Sequence, residues 1–536
     1  MEEMPAVSPD GKDVAFVAPD VNGRRQIWIR RLTGGDALQI TRDDVDHDHP
    51  RWTPKSSHIV YFTPAQKEGE AGVLWEIPAL GCPGRRVVQA ITGADVSDDG
   101  LRIATFQKTS ADVILTILAR SGAPLETIAV APATEYFTPR WSPGGRTIAF
   151  IANVGNLTNV IYITDTESGR TREIKRTTFL KGLAWLPDGS GLVYASEEGS
   201  TLRYPPIFNL RTVSQDGGSD RQLTIGDVSY VDPEIVQPGK IFASQIRMRS
   251  DIWQFPISGT PAENVRNGRQ VTHQTAQVQV PSVSPDGKQI AYLSNSGGQG
   301  NVWVANIGGT GPPQQLTTES DPAVVVGAPI WSPASDWIVY IKTRAGRNSH
   351  WLIKSDGSDH HLLAEGGRNA LWSHDGRWVY FGIASAGTTS CLYKMPVEGG
   401  DRVPVRCGTG WGSISSDGST LYYGDITEVF KASPPDGKGV RLQGFARSRI
   451  PWYPTIHTLS PDDRWLAIPL KDGATTNIWA MPTDLGPMRQ ITDFGRRAIL
   501  IARSVSWSRD SQSVYAAVAE MDADIVLLEG IGQPPK

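Results

Sequence analysis

The 536-residue chain lacks any run of 18 apolar residues, so no stretch reads as a membrane-spanning helix. Its opening, MEEMPAVSPDG, puts two acids where an export signal carries basic residues ahead of an apolar stretch, and no signal peptide is expected. Charge of one sign is also missing. The 52 Lys and Arg against 56 Asp and Glu leave a net charge of −4, which gives no whole-chain footprint for nucleic acid or an anionic membrane. The three cysteines, Cys82, Cys391 and Cys407, are too few for a disulfide framework, and no CxxC pair suggests zinc. Cys391 and Cys407 flank an expected hairpin that turns at Gly399-Gly400. Two buried free thiols are the expected state there, with a disulfide as the alternative. Catalytic signatures are absent too: no G-x-S-x-G, no G-x4-G-K-[ST], no H-E-x-x-H and no D-x-[DN]-x-[DN]-G. No helical period stands out anywhere along the chain.

What the chain does have is a repeat. Ser8-Pro9-Asp10-Gly11 recurs in full at Ser284–Gly287, and degraded copies begin at Thr53, Ser97, Ser142, Leu186, Gln237, Ser332, Ser373, Ser415, Ser460 and Ser508. The twelve copies are spaced by 41 to 51 residues, close to the roughly 40–50 residues of a four-stranded propeller blade. Each copy reads alike. A short apolar strand, often ending in Trp (Trp141, Trp331, Trp372, Trp507), runs into the turn, where Pro presets φ and Gly accepts positive φ. A period-2 strand follows, such as Ile290-Ala291-Tyr292, then a third marked by Ile27-Trp28-Ile29 or Val302-Trp303-Val304. A Gly-rich turn introduces a fourth strand ending in Leu/Ile-Thr, as at Leu316-Thr317. The expected fold is all-β: twelve four-stranded blades, arranged as two six-bladed β-propellers in tandem over residues 1–275 and 276–536. The recurrent Trp are expected to pack between blades. The last copy stops after a third strand, Asp524–Leu528, and Ala276–Val280 is expected to supply its fourth.

The pattern W-S-P-D-G-x-x-I-A-F, then I-W, then G-G-x-x-x-x-L-T, resembles the TolB-like propeller repeat along essentially the whole chain. The resemblance extends to propellers of prolyl oligopeptidase-type and tricorn-type peptidases. The C-terminal stretch from Leu459 to Phe494, LSPDDRW to ITDF, is similar to propeller regions attached to bacterial serine/threonine kinases. It implies a fold whose funnel receives peptide segments and a periplasmic or other extracytoplasmic setting, while fold alone does not fix function.

Chemistry is expected on the loops at one face of the rings. After the first blade, R-D-D-V-D-H-D-H-P crowds Asp43, Asp44, Asp46, His47, Asp48 and His49, with Glu135, Asp227, Asp232 and Glu234 in corresponding loops. Asp44, Asp46, His47, Asp48 and His49 are the candidate ligands of a divalent cation, the only cofactor the chain suggests. The plainer reading is that Asp residues cap turns ahead of a strand. In the second half, Arg447, Arg449, Arg496, Arg497 and Arg503 approach the axis beside Trp452 and Tyr453. Arg forks and aromatics suit an acidic or C-terminal peptide, although Arg snorkelling over blade edges is the plainer account. The leading expectation is a non-catalytic scaffold or sensor module that binds protein or peptide ligands. The alternatives are a hydrolase or lyase using the acidic loop, or the propeller portion of a larger peptidase or receptor kinase.

Overall fold

The computed structural model describes all residues except 1, 68–69, 82, 111, 156–157, 275, 310, 384–389, 425–426, 447–448, 452–455, 474, 502 and 531–536. Cys82 therefore lies outside the described residues. The local chemistry of the turn recurs from sheet to sheet. The turn serine donates to the carboxylate two residues on and accepts the N–H five residues on: Ser8 to Asp10 at 2.7 Å and from Asp13 at 2.9 Å, Ser284 to Asp286 at 2.6 Å and from Gln289 at 2.9 Å, Ser373 to Asp375 at 2.6 Å and from Trp378 at 2.9 Å. One hydroxyl thus satisfies the turn and starts the second strand. The threonine that ends the fourth strand plays the matching part, its Oγ1 accepting from a third-strand N–H at 2.9 Å in Thr41–Ile27, Thr317–Val302 and Thr492–Ile478.

The result is an all-β chain of antiparallel sheets, most of them four-stranded, each ordered 1-2-3-4 along the sequence. Indole N–H groups stitch several sheets to their predecessors, from Trp52 to the Ala6 carbonyl at 2.9 Å, Trp185 to Arg140 at 3.1 Å, Trp331 to Ser282 at 2.9 Å and Trp372 to Ile330 at 3.2 Å, whereas the buried Trp141 indole has no partner among the described residues. Between the sheets lie the apolar clusters, for example Ile40, Trp52, Ile59 and Tyr61.

The chain divides into two compact units, one of Met1–Gly199, Ile207–Arg247 and Asp522–Lys536, the other of Ser200–Pro206 and Met248–Met521. In the first, the opening strands touch in succession: Glu3–Val7, Asp48–Trp52, Asp95–Val96, Arg140–Trp141, Leu180–Trp185, Ser229–Gln237 and back to Glu3–Val7. In the second, Val278–Val283 touches Val324–Trp331, which touches Arg368–Trp372. Gly412–Ile414 likewise leads to Thr458–Leu459, Ser506–Trp507 and back to Val278–Val283. The closed succession of the first unit and the runs of small antiparallel sheets in the second are consistent with a β-propeller.

Four expectations change. The units do not follow a single cut at 275/276, because the chain passes between them inside two uninterrupted 17-residue strands, Lys240–Pro256 and Ser513–Glu529. Neither strand contains Gly, Pro or Asn between its ends, so nothing forces the hairpin that separates second and third strands in the other repeats. Ala276–Val280 does not complete the last repeat, since Val278–Val283 pairs with Gln289–Ser294 in its own sheet. The fourth strand there is Arg269–Gln270, on Trp253 and Gln254. A six-residue helix, Pro261–Arg266, replaces the Gly-Gly turn, started by Thr260 and Glu263 capping each other. Cys391 and Cys407 are directly opposed in the hairpin and joined as a disulfide, not held as buried thiols.

Two outcomes follow. Ser284→Ala, which strands a buried N–H, lowers the unfolding free energy in urea by about 1–3 kcal/mol. Alkylation of the denatured chain modifies one cysteine before reduction and three after it, as read by intact mass.

Candidate functional site

The opening strands carry a repeated irregularity. Four residues before the turn, Met4, His49, Val280, Ala328 and Asn369 all adopt left-handed φ, between 45° and 55°. A register shift brackets each one, at Glu3/Ala6, Asp48/Arg51, Gln279/Ser282, Gly327/Ile330 and Arg368/Leu371. Such a bulge bends the strand and re-aims its side chains. In each unit, side chains from several of these opening strands meet.

In the first unit these side chains are ionic. Arg51 is buried and spans three sheets, 3.1 Å from Asp95 and 2.5 Å from Glu234. The second oxygen of Asp95 accepts the Trp141 N–H at 2.8 Å. Arg25 pairs with Asp48 at 3.0 Å and Glu3 at 3.3 Å, and its backbone N–H donates to Asp46 at 3.1 Å. Arg140 donates to the Leu183 carbonyl at 3.2 Å and keeps a buried Nη1 without a partner among the described residues, as does His49 at Nδ1. Burial, assisted by Arg140, Arg25 and Arg51, pushes His49 down to about 3. Burial also lowers Arg140 to about 10, with Arg51 contributing, and raises the Asp232 carboxyl.

The expected cation ligands are therefore dispersed. His47 is buried with both nitrogens engaged, Nε2 with Asp43 at 2.8 Å and Nδ1 with Thr63 at 2.9 Å. Asp44 is exposed, Asp46 and Asp48 serve Arg25, and His49 is neutral among cations. Among the described residues, no group of three or more His, Cys, Asp or Glu is placed to hold a metal ion. Glu135 and Asp227 are exposed, whereas Asp232 and Glu234 do join the cluster. The acidic loop was legible in sequence, but its counter-charges were not singled out. A signal existed: the residue before the blade Trp is Arg at Arg51 and Arg140, against Ile330, Leu371 and Ser506 in the second half.

In the second unit the central side chains surround a segment of chain. Ser200–Pro206 belongs to this unit, and Tyr204 is 3 % exposed. The buried Gln279 amide reads its backbone, accepting the Tyr204 N–H and donating to the Pro205 carbonyl, both at 2.8 Å. Arg503, itself at left-handed φ and 8 % exposed, covers the Tyr204 ring at 4.2 Å and donates to Asn369 Oδ1. Arg203 donates to Thr343 Oγ1. A Cβ at Gly327 would come within 3.3 Å of the Tyr204 ring, and one at Gly300 within 1.9 Å of the Thr201 carbonyl, so small residues make this room. Of the expected ligand-binding residues that are described, Arg503 alone is shown in this seat. Arg449 pairs with Asp472 at 2.9 Å and covers Trp479 at 4.5 Å. Arg497 is half-exposed beside Phe494 and 3.7 Å from Glu520, and Arg496 is exposed. Arg449 and Arg497 lie over aromatic rings, as long stems on apolar surface do. Arg447, Trp452 and Tyr453 lie outside the described residues. The seated Arg203-Tyr204-Pro205-Pro206 carried no flag in sequence beyond its paired prolines.

Arg51→Ala leaves Asp95 and Glu234 buried without their cation and lowers stability in urea by about 3–5 kcal/mol. Acid acts through the buried histidines. His49, His350 and His457 are held by burial at about 3, 4 and 3, so they fold neutral while the unfolded chain binds protons below pH 6.5. Stability is full above pH 6.5 and falls as the pH drops toward 4, by up to about 1.4 kcal/mol per pH unit for each histidine. Urea midpoints at pH 7 and pH 5 measure the slope, and His350→Gln flattens it.

A TolB beta propeller domain model matches residues 263–433. The chain is 23 % identical over 415 residues to Tricorn protease homolog 1 of Streptomyces coelicolor, covering 69 % of this chain and 36 % of that protein. It is 30 % identical over 127 residues to a TolB homologue of Chlorobaculum tepidum, covering 24 % and 27 %. Each match spans well under two thirds of the relative's length. The tricorn protease crystal structure aligns with 96 % of this chain and 52 % of its own at 12 % identity, with a TM-score of 0.35. With its repeats, its four-stranded sheets and the match over residues 263–433, the chain carries a TolB-type β-propeller domain and is consistent with the TolB-like propeller family.

Proposed function

We propose that the chain is a non-catalytic protein-binding module, its twelve repeats closing as two six-bladed propellers, that takes peptide segments at the axial opening of its second unit. The seating of Ser200–Pro206 supports this reading. One side-chain amide satisfies both a backbone N–H and a backbone C=O, and a guanidinium stacks on an aromatic ring. These are general peptide-recognition contacts, sequence-tolerant at the backbone and selective at the ring. The partner is a protein; the charge balance does not favour nucleic acid. An extracytoplasmic setting is supported by the resemblance to TolB and by the Cys391–Cys407 bridge, since such bonds persist in oxidising compartments.

A second reading rests on the tricorn match, which takes in 69 % of this chain but only 36 % of that protein. The chain would then be the substrate-handling portion of a larger peptidase. The axial seat would serve either role.

The test uses fluorescence anisotropy with a labelled peptide of residues 199–207, titrated with the chain carrying Tyr204→Gly and Pro205→Gly. Saturable binding is expected, weakened at least tenfold by adding Arg503→Ala or Gln279→Ala. No saturable binding by a variant that keeps its native circular dichroism overturns the proposal. Cleavage of the peptide during the titration, read by mass, would favour the peptidase reading.

A further inference from the structure

Among the described residues, the first unit has a strand position that no strand fills. In its first five sheets, an apolar residue of the fourth strand or of the residue next to it packs onto the following sheet. Ile40 meets Trp52 and Tyr61, Ala90 meets Val96, Ile128 meets Trp141 and Phe150, Ile174 meets Leu192, and Leu223 meets Val231. The sixth sheet is built from Ser229–Gln237, the first half of Lys240–Pro256 and the second half of Ser513–Glu529. Ion pairs between Arg247 and Asp524 at 3.4 Å and between Lys240 and Glu529 at 3.3 Å hold those halves side by side. Among the described residues, no strand pairs with the outer edge of 522–529. Beside it, the Glu2 N–H donates to the Ala523 carbonyl at 2.7 Å. The corresponding place in the second unit is occupied, by Arg269–Gln270.

A cavity of about 440 Å³ lies along this edge, within the first unit, where a fourth-strand side chain would meet the first sheet. Val14, Phe242 and Ile525 form its apolar floor. Leu32 and Leu527, 39 % and 42 % exposed, stand at its mouth. The lining holds three cations, Arg30, Arg31 and Lys240, against the single carboxylate of Glu2. The Arg31 side chain is 73 % exposed, and the nearest carboxylate oxygen, on Asp13, is 3.8 Å away. An open strand edge beside an apolar cavity is the arrangement that strand addition exploits: the backbone ladder supplies affinity and alternate side chains supply selectivity.

We propose that Asp522–Glu529 is a docking edge for an extended strand of a partner protein, aligned antiparallel, with aliphatic residues at alternate positions and an acidic residue facing Arg31. One aliphatic side chain fills the cavity over Ile525 and Leu527, and the sixth sheet gains its fourth strand. This site is separate from the axial seat and needs none of its residues.

The probe is a ten-residue peptide alternating valine with glutamate and threonine, added to the full chain. Saturable binding is expected by anisotropy, with hydrogen exchange slowed at residues 523–529 and unchanged at 200–206. Leu527→Asp weakens binding at least tenfold and Arg31→Glu at least threefold. Leu527 and Arg31 are exposed, so both variants retain the parent melting temperature. Absence of saturable binding, protection elsewhere, or equal affinity for folded Leu527→Asp overturns the proposal. A dimer by light scattering that Leu527→Asp dissolves assigns the edge to a second copy and overturns the partner assignment.

Discussion

A four-stranded sheet of this kind has two apolar faces and no core of its own, so each sheet is stable only between two neighbours. Everything else in the molecule answers to that constraint. The indoles that reach back from Trp52, Trp185, Trp331 and Trp372 to the previous sheet tie neighbours by a hydrogen bond as well as by area. Because every sheet needs both neighbours, the succession must return to its start. Glu3–Val7 against Ser229–Gln237 does this in the first unit, and Val278–Val283 against Ser506–Trp507 in the second.

Bringing the opening strands together crowds their side chains at a centre, and the two units use that centre differently. The bulge residue four before the turn recurs in both, at His49 as at Asn369. In the first unit the crowd is charged, and Arg51 and Arg25 neutralise carboxylates from several sheets. Removing water from such ions is costly unless the partners are in place, so the cluster specifies which sheets meet. In the second unit the centre is built of amides, small residues and Arg503 around Tyr204, which is chemistry for holding a chain. A rigid frame with loops of variable content is how propellers host different ligands.

Much of the site was readable only in part, for definite reasons. The crowding of Asp43 to His49 signalled a charged centre. Its partner Arg25, which pairs with Asp48 and takes Asp46 at its backbone N–H, comes from the third strand of the preceding sheet, while Arg51 reaches away to Asp95 and Glu234. Arg503 was expected to face the axis and covers the Tyr204 ring, whereas Arg449 and Arg497 pair with Asp472 and Glu520. The hairpin of Cys391 and Cys407 was expected, and the bridge follows from their direct opposition in register.

Local hydrogen bonding is written in the sequence. In many repeats Ser, Asp and Gly at fixed offsets close the turn within five residues, Thr closes the fourth strand, and Trp marks the opening one. Twelve repeats and an all-β chain of small sheets followed from these short-range bonds without any knowledge of the whole. The sequence also held, unread, the lack of turn formers in Lys240–Pro256 and Ser513–Glu529. What only the tertiary structure decided is long-range: that these two strands run through the boundaries of the units, that Arg247 meets Asp524, and that Tyr204 seats under Arg503, 299 positions away. Those contacts depend on which sheets become neighbours when each succession closes, and no local bond carries that information.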